Sequence, residues 1–222
     1  MVISTLYNKS FNLSIMRTNQ ELRRSSKSLL SGNWTTAIII TVLCLMVSGV
    51  FSLLGQVDTM LVAVLCFAVN ICFISPLSVG MYMTYLYFVR GEQLKAENLL
   101  GVFTAKYYKR TVILVLLLMI YIVLWTLLFF VPGVIKGLSY YLAPFILIDN
   151  PEMSAEEAIC QSMRMMKGHK MDLFLLQIGM LGYCLLSILL LGIPLLWIIP
   201  YYQVVYTNFY EDIKREYSEE VA

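Results

Sequence analysis

The chain has 222 residues, 59% of them hydrophobic and 14% charged, with a formal net charge of +2 and a mean hydropathy of +0.76. A soluble domain is nearer half apolar and about a quarter charged, so this chain needs lipid as its solvent. Its basic residues flank apolar segments and form no separate run, which excludes nucleic acid as an expected partner.

The N-terminal region is polar and mixed, without the short apolar core and small-residue cleavage site of a signal peptide. Residues 1–15 are expected to form a flexible extension, with Met16 as an alternative start. Leu22, Ser25, Ser26 and Leu29 recur at helical spacing and predict an amphipathic helix over residues 21–30. Residues 35–54 then supply the roughly 20 apolar residues that cross a hydrocarbon core of about 30 Å. A second span, 60–89, is longer and holds Asn70 and Pro76, so a kink or tilt is expected in it. Residues 96–108 suggest another amphipathic helix, with Leu99, Leu100, Phe103 and Tyr107 on one side.

Residues 111–131 form the third predicted span, ended by a turn at Pro132-Gly133. Residues 134–148 are short for a span and contain Lys136 and Pro144. They are read as a fourth crossing, with a re-entrant segment as the alternative. Parity favours the crossing, because without it Arg164, Lys167, Lys170 and the C-terminal charges would all change sides. Asp149-Asn150-Pro151-Glu152 follows as a polar turn. Asx-type backbone bonding is the plainer account of it, and cation or amine binding the alternative.

Ser154 is the expected N-cap of a third amphipathic helix, 155–167, with Glu157 completing a capping box and Gly168 as its stop. Ala155, Ala158, Ile159, Ser162, Met163 and Met166 share one face of it. Residues 173–191 and 195–210 are the fifth and sixth spans, separated by Gly192-Ile193-Pro194, and a polar tail covers 214–222.

Charge placement orients this series. Of the 16 Lys and Arg residues, all but Lys136 fall into four patches, before the first span, between the second and third, between the fourth and fifth, and after the last. The intervening loops carry none. Alternation of this kind is the positive-inside signature and places both termini in the cytoplasm. The expected fold class is therefore all-α: a polytopic membrane protein of about six transmembrane helices in three helical hairpins, with amphipathic helices on the cytoplasmic face. The hairpins suggest a repeat, since Pro132 and Pro194 stand 62 positions apart and Tyr140-Tyr141 and Tyr201-Tyr202 follow them.

Three polar residues inside predicted spans are candidate site residues: Asn70, Lys136 and Tyr140. A buried amine in lipid is costly and marks Lys136 as a functional candidate. The competing account is snorkelling to the outer headgroups, or pairing with Asp58. Asn70 would line a polar path or, more commonly, bond to a neighbouring helix. Tyr140 and Tyr141 lie deeper than the other tyrosines, as if facing a cavity. Gly179, Gly182, Ser48 and Ser52 are positions that would allow close helix contact. The five cysteines, four of them inside apolar segments, read as small apolar side chains. His169, the one histidine, has no Cys, Asp or Glu at ligand spacing. No phosphate-binding loop, nucleophile elbow or metal motif is present, so no catalytic, cofactor or metal site is assigned.

Residues 131–144, opening on Val131-Pro132-Gly133 and closing on Tyr140-Tyr141-Leu142-Ala143-Pro144, continue into 149–159 and 162–174 in a pattern that resembles the family called domain of unknown function 975. Residues 193–201, 209–212 and 21–34 resemble it too, so the likeness covers roughly residues 16–214. The pattern of Ala155, Ala158 and Ser162 is also similar to the membrane module attached to some bacterial glycerophosphodiester phosphodiesterases, whose enzyme domain is missing here. The resemblance implies a bacterial cytoplasmic-membrane protein with no established activity and weakly suggests lipid-related work. The expected function is non-enzymatic: binding of lipid or a small amphipathic solute, or organisation of the bilayer or of a partner. Transport of a small solute or lipid is the alternative, and a role as an accessory subunit is the third. Membrane lipids are the expected partners, with a protein partner or a homo-oligomer as further possibilities.

Overall fold

The computed structural model describes residues 17–54 and 60–221, and the regular elements among them are all helical. In chain order they are α1 (Asn19–Leu30), α2 (Trp34–Leu54), α3 (Met60–Val69), a π-helical turn (Asn70–Ile74), α4 (Ser75–Val89) and a 3₁₀ segment (Ala96–Phe103). There follow α5 (Tyr108–Leu128), α6 (Phe130–Tyr140), α7 (Ala143–Asp149), α8 (Ala155–Met165), α9 (Lys170–Leu189) and α10 (Leu195–Val221). The expected N-terminal extension and Asp58 lie outside the described residues.

Four stretches are long and apolar enough to cross a membrane: Met60–Val89, Tyr108–Leu128, Phe130–Asp149 and Lys170–Ile188. A fifth arises if α1 and α2, bent by 99° at their junction, count as one broken span. The expected fourth span falls inside Phe130–Asp149. The expected sixth falls on α10, which is not among these stretches. Its middle is polar, with Gln203, Thr207 and Asn208, and acids follow. It tolerates them because protein surrounds it: Tyr202, Val204, Val205, Thr207, Asn208, Phe209 and Tyr210 are all buried. A helix enclosed by other helices does not need an apolar surface all round.

Met60–Val89 carries its irregularity where Pro76 requires it. Proline has no N–H, so the carbonyl of Cys72 loses its helical donor. The helix widens into the π turn just before, and the Tyr108 hydroxyl donates to the Cys72 carbonyl at 3.1 Å. A second break, between α6 and α7, is repaired by Ser162 on α8. Its hydroxyl donates to the Ser139 carbonyl at 2.8 Å and accepts from the Leu142 N–H at 3.2 Å. Both groups lack an intrahelical partner there, and a buried unpaired backbone group is expensive.

Two sequence expectations shift. The helical hairpin after α5 turns at Phe129, which is extended at φ −158° and ψ 140°, and Pro132 and Gly133 lie in the first turn of α6. Proline is tolerated there because the first N–H groups of a helix have no internal partner. Gly133 still matters: a Cβ on it would stand 2.5 Å from the Thr126 hydroxyl, so it lets α6 close on α5. The amphipathic helix expected over 96–108 is instead the 3₁₀ segment Ala96–Phe103. At three residues per turn its inner face is Leu99 and Val102, while Leu100 is exposed.

The helices expected over 21–30 and 155–167 form as α1 and α8, each opened by a capping box, Thr18 with Glu21 and Ser154 with Glu157. The α1 face that packs inward is Leu22, Ser26 and Leu30. On α8 it is Ala155, Ala158, Ile159, Ser162 and Met165, the last in place of Met163. Around these the core divides into two neighbouring clusters. The larger centres on Leu86, Phe145, Ile146, Phe209 and Tyr210, and the smaller joins Leu30, Ile40, Tyr85, Phe88 and Val204.

Candidate functional site

The C-terminal half of α10 carries the last basic segment and receives Arg17 and Arg90 from the first two. Asp149, at the end of α7, is nearly buried and receives both Arg90 nitrogens, Nη1 at 2.7 Å and Nη2 at 2.8 Å. Lys214 pairs with the same carboxylate, and the Tyr210 hydroxyl donates to it at 2.7 Å. Arg90 also reaches Glu211 at 2.7 Å. Asp149 hydrogen bonds hold the Arg90 guanidinium even more firmly in its charged form than usual. Beside this cluster, Arg17 clasps the buried Asp212, with Nε and Nη2 each at 2.8 Å from a carboxylate oxygen. Asn208 donates to the Ser26 hydroxyl at 3.0 Å and ties α1 to α10. His169 approaches Glu216 at 3.6 Å and Asp172 at 3.8 Å, and Arg110 reaches Glu152 at 3.2 Å. Near the α8 N-terminus, the Ser154 backbone N–H holds the Glu157 carboxyl below its ordinary range. The turn at Asp149 is thus an ionic anchor, and beside it the Asn150 side chain donates back to the Ile146 carbonyl at the end of α7, at 3.2 Å, in place of the expected Asx-type bond.

The three intramembrane candidates occupy separate surroundings. Asn70 is exposed at the start of the π turn, and its carboxamide oxygen accepts from the Ser75 hydroxyl at 3.4 Å. Lys136 is half-buried, its ammonium 4.7 Å from the centre of the Trp125 ring. Such a cation–π contact is a third account of this residue, beside snorkelling and pairing. Tyr140 is buried against Tyr121, with ring centres 6.1 Å apart, and Tyr141 packs on Tyr206 at 5.3 Å. Lys136 and Tyr140 therefore share the α5–α6 contact, and Asn70 stands apart from them. Of the small residues, Gly179 has a close neighbour, the Arg23 side chain, whereas Gly182 faces open space.

A different set of side chains forms a groove. Lys27 on α1, Trp34 at the start of α2, Tyr183 on α9, and Trp197, Ile198, Tyr201 and Tyr202 on α10 enclose about 300 Å³. The Tyr201 hydroxyl donates to the Arg23 carbonyl at 3.2 Å and closes one wall. Tyr201 and Tyr202 stand edge to face at 5.3 Å. Nothing in the sequence pointed to this groove, because the meeting of its residues depends on contacts between positions far apart in the chain. No cluster of metal-ligating side chains occurs among the described residues.

No curated protein and no solved structure matches the chain. The family model described as "Protein of unknown function (DUF975)" matches residues 16–136 and 129–217. Those two ranges take in α1 through most of α10, including both walls of the groove and the ionic anchor. The chain belongs to the DUF975 family.

Proposed function

We propose that this protein is a non-enzymatic membrane protein that binds an amphipathic ligand, a lipid or a small amphiphile, in the groove between α1, α2, α9 and α10. The observation that carries this reading is the composition of the groove. Two tryptophans and three tyrosines line it together with one lysine, in a protein otherwise covered with apolar surface. Aromatic side chains that are apolar in body and polar at the tip suit a ligand of the same character, and interfacial tryptophan and tyrosine sit where headgroups meet chains.

The same reading takes the chain as six crossings in three hairpins, with α2 and α10 as the first and last. The termini and the ionic anchor face the cytoplasm of a bacterial cell. It is supported by the ion pairs that link the first and second basic segments to the end of α10 that carries the fourth. On this reading the amphipathic helices α1 and α8 belong to the cytoplasmic side.

Mass spectrometry of the intact chain released from native-membrane nanodiscs tests the binding role. A single amphiphile retained per chain, and lost in the Trp197→Ala variant, is the expected result. Retention unchanged by that substitution contradicts the groove as the site.

A further inference from the structure

Arg23 and Lys27 stand one helical turn apart on α1, so they share a face. Arg17, Arg90, Arg110 and Lys214 each have a carboxylate partner. Arg23 has none among the described residues. Its guanidinium lies against the backbone of α9, where a Cβ on Gly179 would stand 2.0 Å from Nη2, and 5.9 Å from the centre of the Tyr202 ring. Its Nε is shielded from solvent without an acceptor. Tyr202 lines the groove, is 1% exposed, and its hydroxyl also lacks a hydrogen-bond partner. Unsatisfied buried donors are costly, and these two converge on Gly179, with Arg23 next to the Tyr202 wall of the groove.

We propose that the groove is a site for an anionic, phosphate-bearing amphiphile. Its headgroup oxygens accept from Arg23, Lys27 and the Tyr202 hydroxyl, and its hydrocarbon chain lies along Trp197 and Ile198. This rests on the amphiphile-binding reading above and narrows it to a charge class. Arg23 and Lys27, neither of which is ion-paired among the described residues, call for a ligand of net negative charge. The planar guanidinium suits phosphate oxygens, which accept several hydrogen bonds at once. Glycine at position 179 is what makes room for it, since any side chain there would meet Arg23.

The test uses the full chain in nanodiscs of equal phosphatidylglycerol and phosphatidylcholine, followed by extraction into detergent and mass spectrometry of the protein with its retained lipid. Wild type is expected to keep phosphatidylglycerol in preference to phosphatidylcholine. Arg23→Gln is expected to reduce that preference about tenfold, as loss of a charged hydrogen-bond partner does. Tyr202→Phe, which removes only the hydroxyl, is expected to reduce it by a smaller factor. Both variants are checked for monodisperse elution, and if Arg23→Gln fails that check the Tyr202→Phe result decides. A preference unchanged in a monodisperse variant overturns the assignment of the headgroup. Equal retention of the two lipids, lost together in Trp197→Ala, overturns the anionic class while leaving the amphiphile reading intact. Retention of neither lipid removes both. Displacement of retained phosphatidylglycerol by millimolar glycerol phosphate would identify a soluble phosphate ester as the ligand and overturn the lipid source.

Discussion

Asp149 holds two cations and a tyrosine hydroxyl on one nearly buried carboxylate. Its worth to the fold lies less in the pairs themselves than in what their loss would leave. Arg90 and Lys214 are partly in solvent and Arg90 keeps Glu211, so losing Asp149 costs less than the several kcal/mol of a fully buried pair, about 1–2 kcal/mol. Asp149→Ala is therefore expected to lower the thermal unfolding midpoint in detergent by a few degrees, and Arg90→Gln in the same background is expected to recover part of it. A midpoint equal to that of wild type would show that the cluster does not bear on stability. The residue was legible as a turn, because Asn150 and Pro151 follow it. Its partners were not legible, since Arg90 and Lys214 are 59 and 65 positions away and no local pattern points to them. Arg23 was hidden for the same reason: in the sequence it is one member of a basic patch, and only the approach of α9 at Gly179 distinguishes it.

At the scale of elements, the sequence carried helices with strong local signals and lost those whose geometry depends on a neighbour. The two capping boxes and the apolar periodicities place α1 and α8 within a few residues of where they lie. The 3₁₀ segment escaped because its period is set by the surface it packs on. That surface is α4 at Gly80, where a Cβ would stand 2.2 Å from the Leu99 carbonyl oxygen. Backbone cannot yield as a flexible side chain can. Gly80→Val is expected to push the segment off α4 and to cost about 1–3 kcal/mol, the usual range for overpacking. Faster amide exchange over residues 96–103 than in wild type would report it, and unchanged exchange would mean that the two elements have slack between them. The hairpin turn was misplaced by a few residues for a related reason. Pro132 and Gly133 are turn formers in isolation, yet proline also suits a first helical turn and this glycine serves the contact with Thr126.

For the molecule as a whole, the legible part was the alternation of basic and non-basic loops. It is a property of the chain as a polymer in two solvents and needs no knowledge of side-chain contacts. The structure adds a physical agent for it. Ion pairs and hydrogen bonds join residues 17, 90, 149, 169, 208, 211, 212, 214 and 216 around the end of α10. On the proposed topology, the segments that carry these bonds lie on one face of the membrane. The groove, by contrast, is a product of packing between the two ends of the chain, and neither end announces it.

One-sidedness is the claim on which the rest depends, and substituted-cysteine labelling tests it most directly. In a background without the native cysteines, single cysteines replace Arg24, Lys95, Lys167, Arg215 and Ile193 in turn, and intact cells are treated with a membrane-impermeant thiol reagent. The account predicts that Ile193→Cys reacts at once, and that the other four react only after the membrane is opened. Labelling in intact cells of any one of those four would break the shared face and contradict the account.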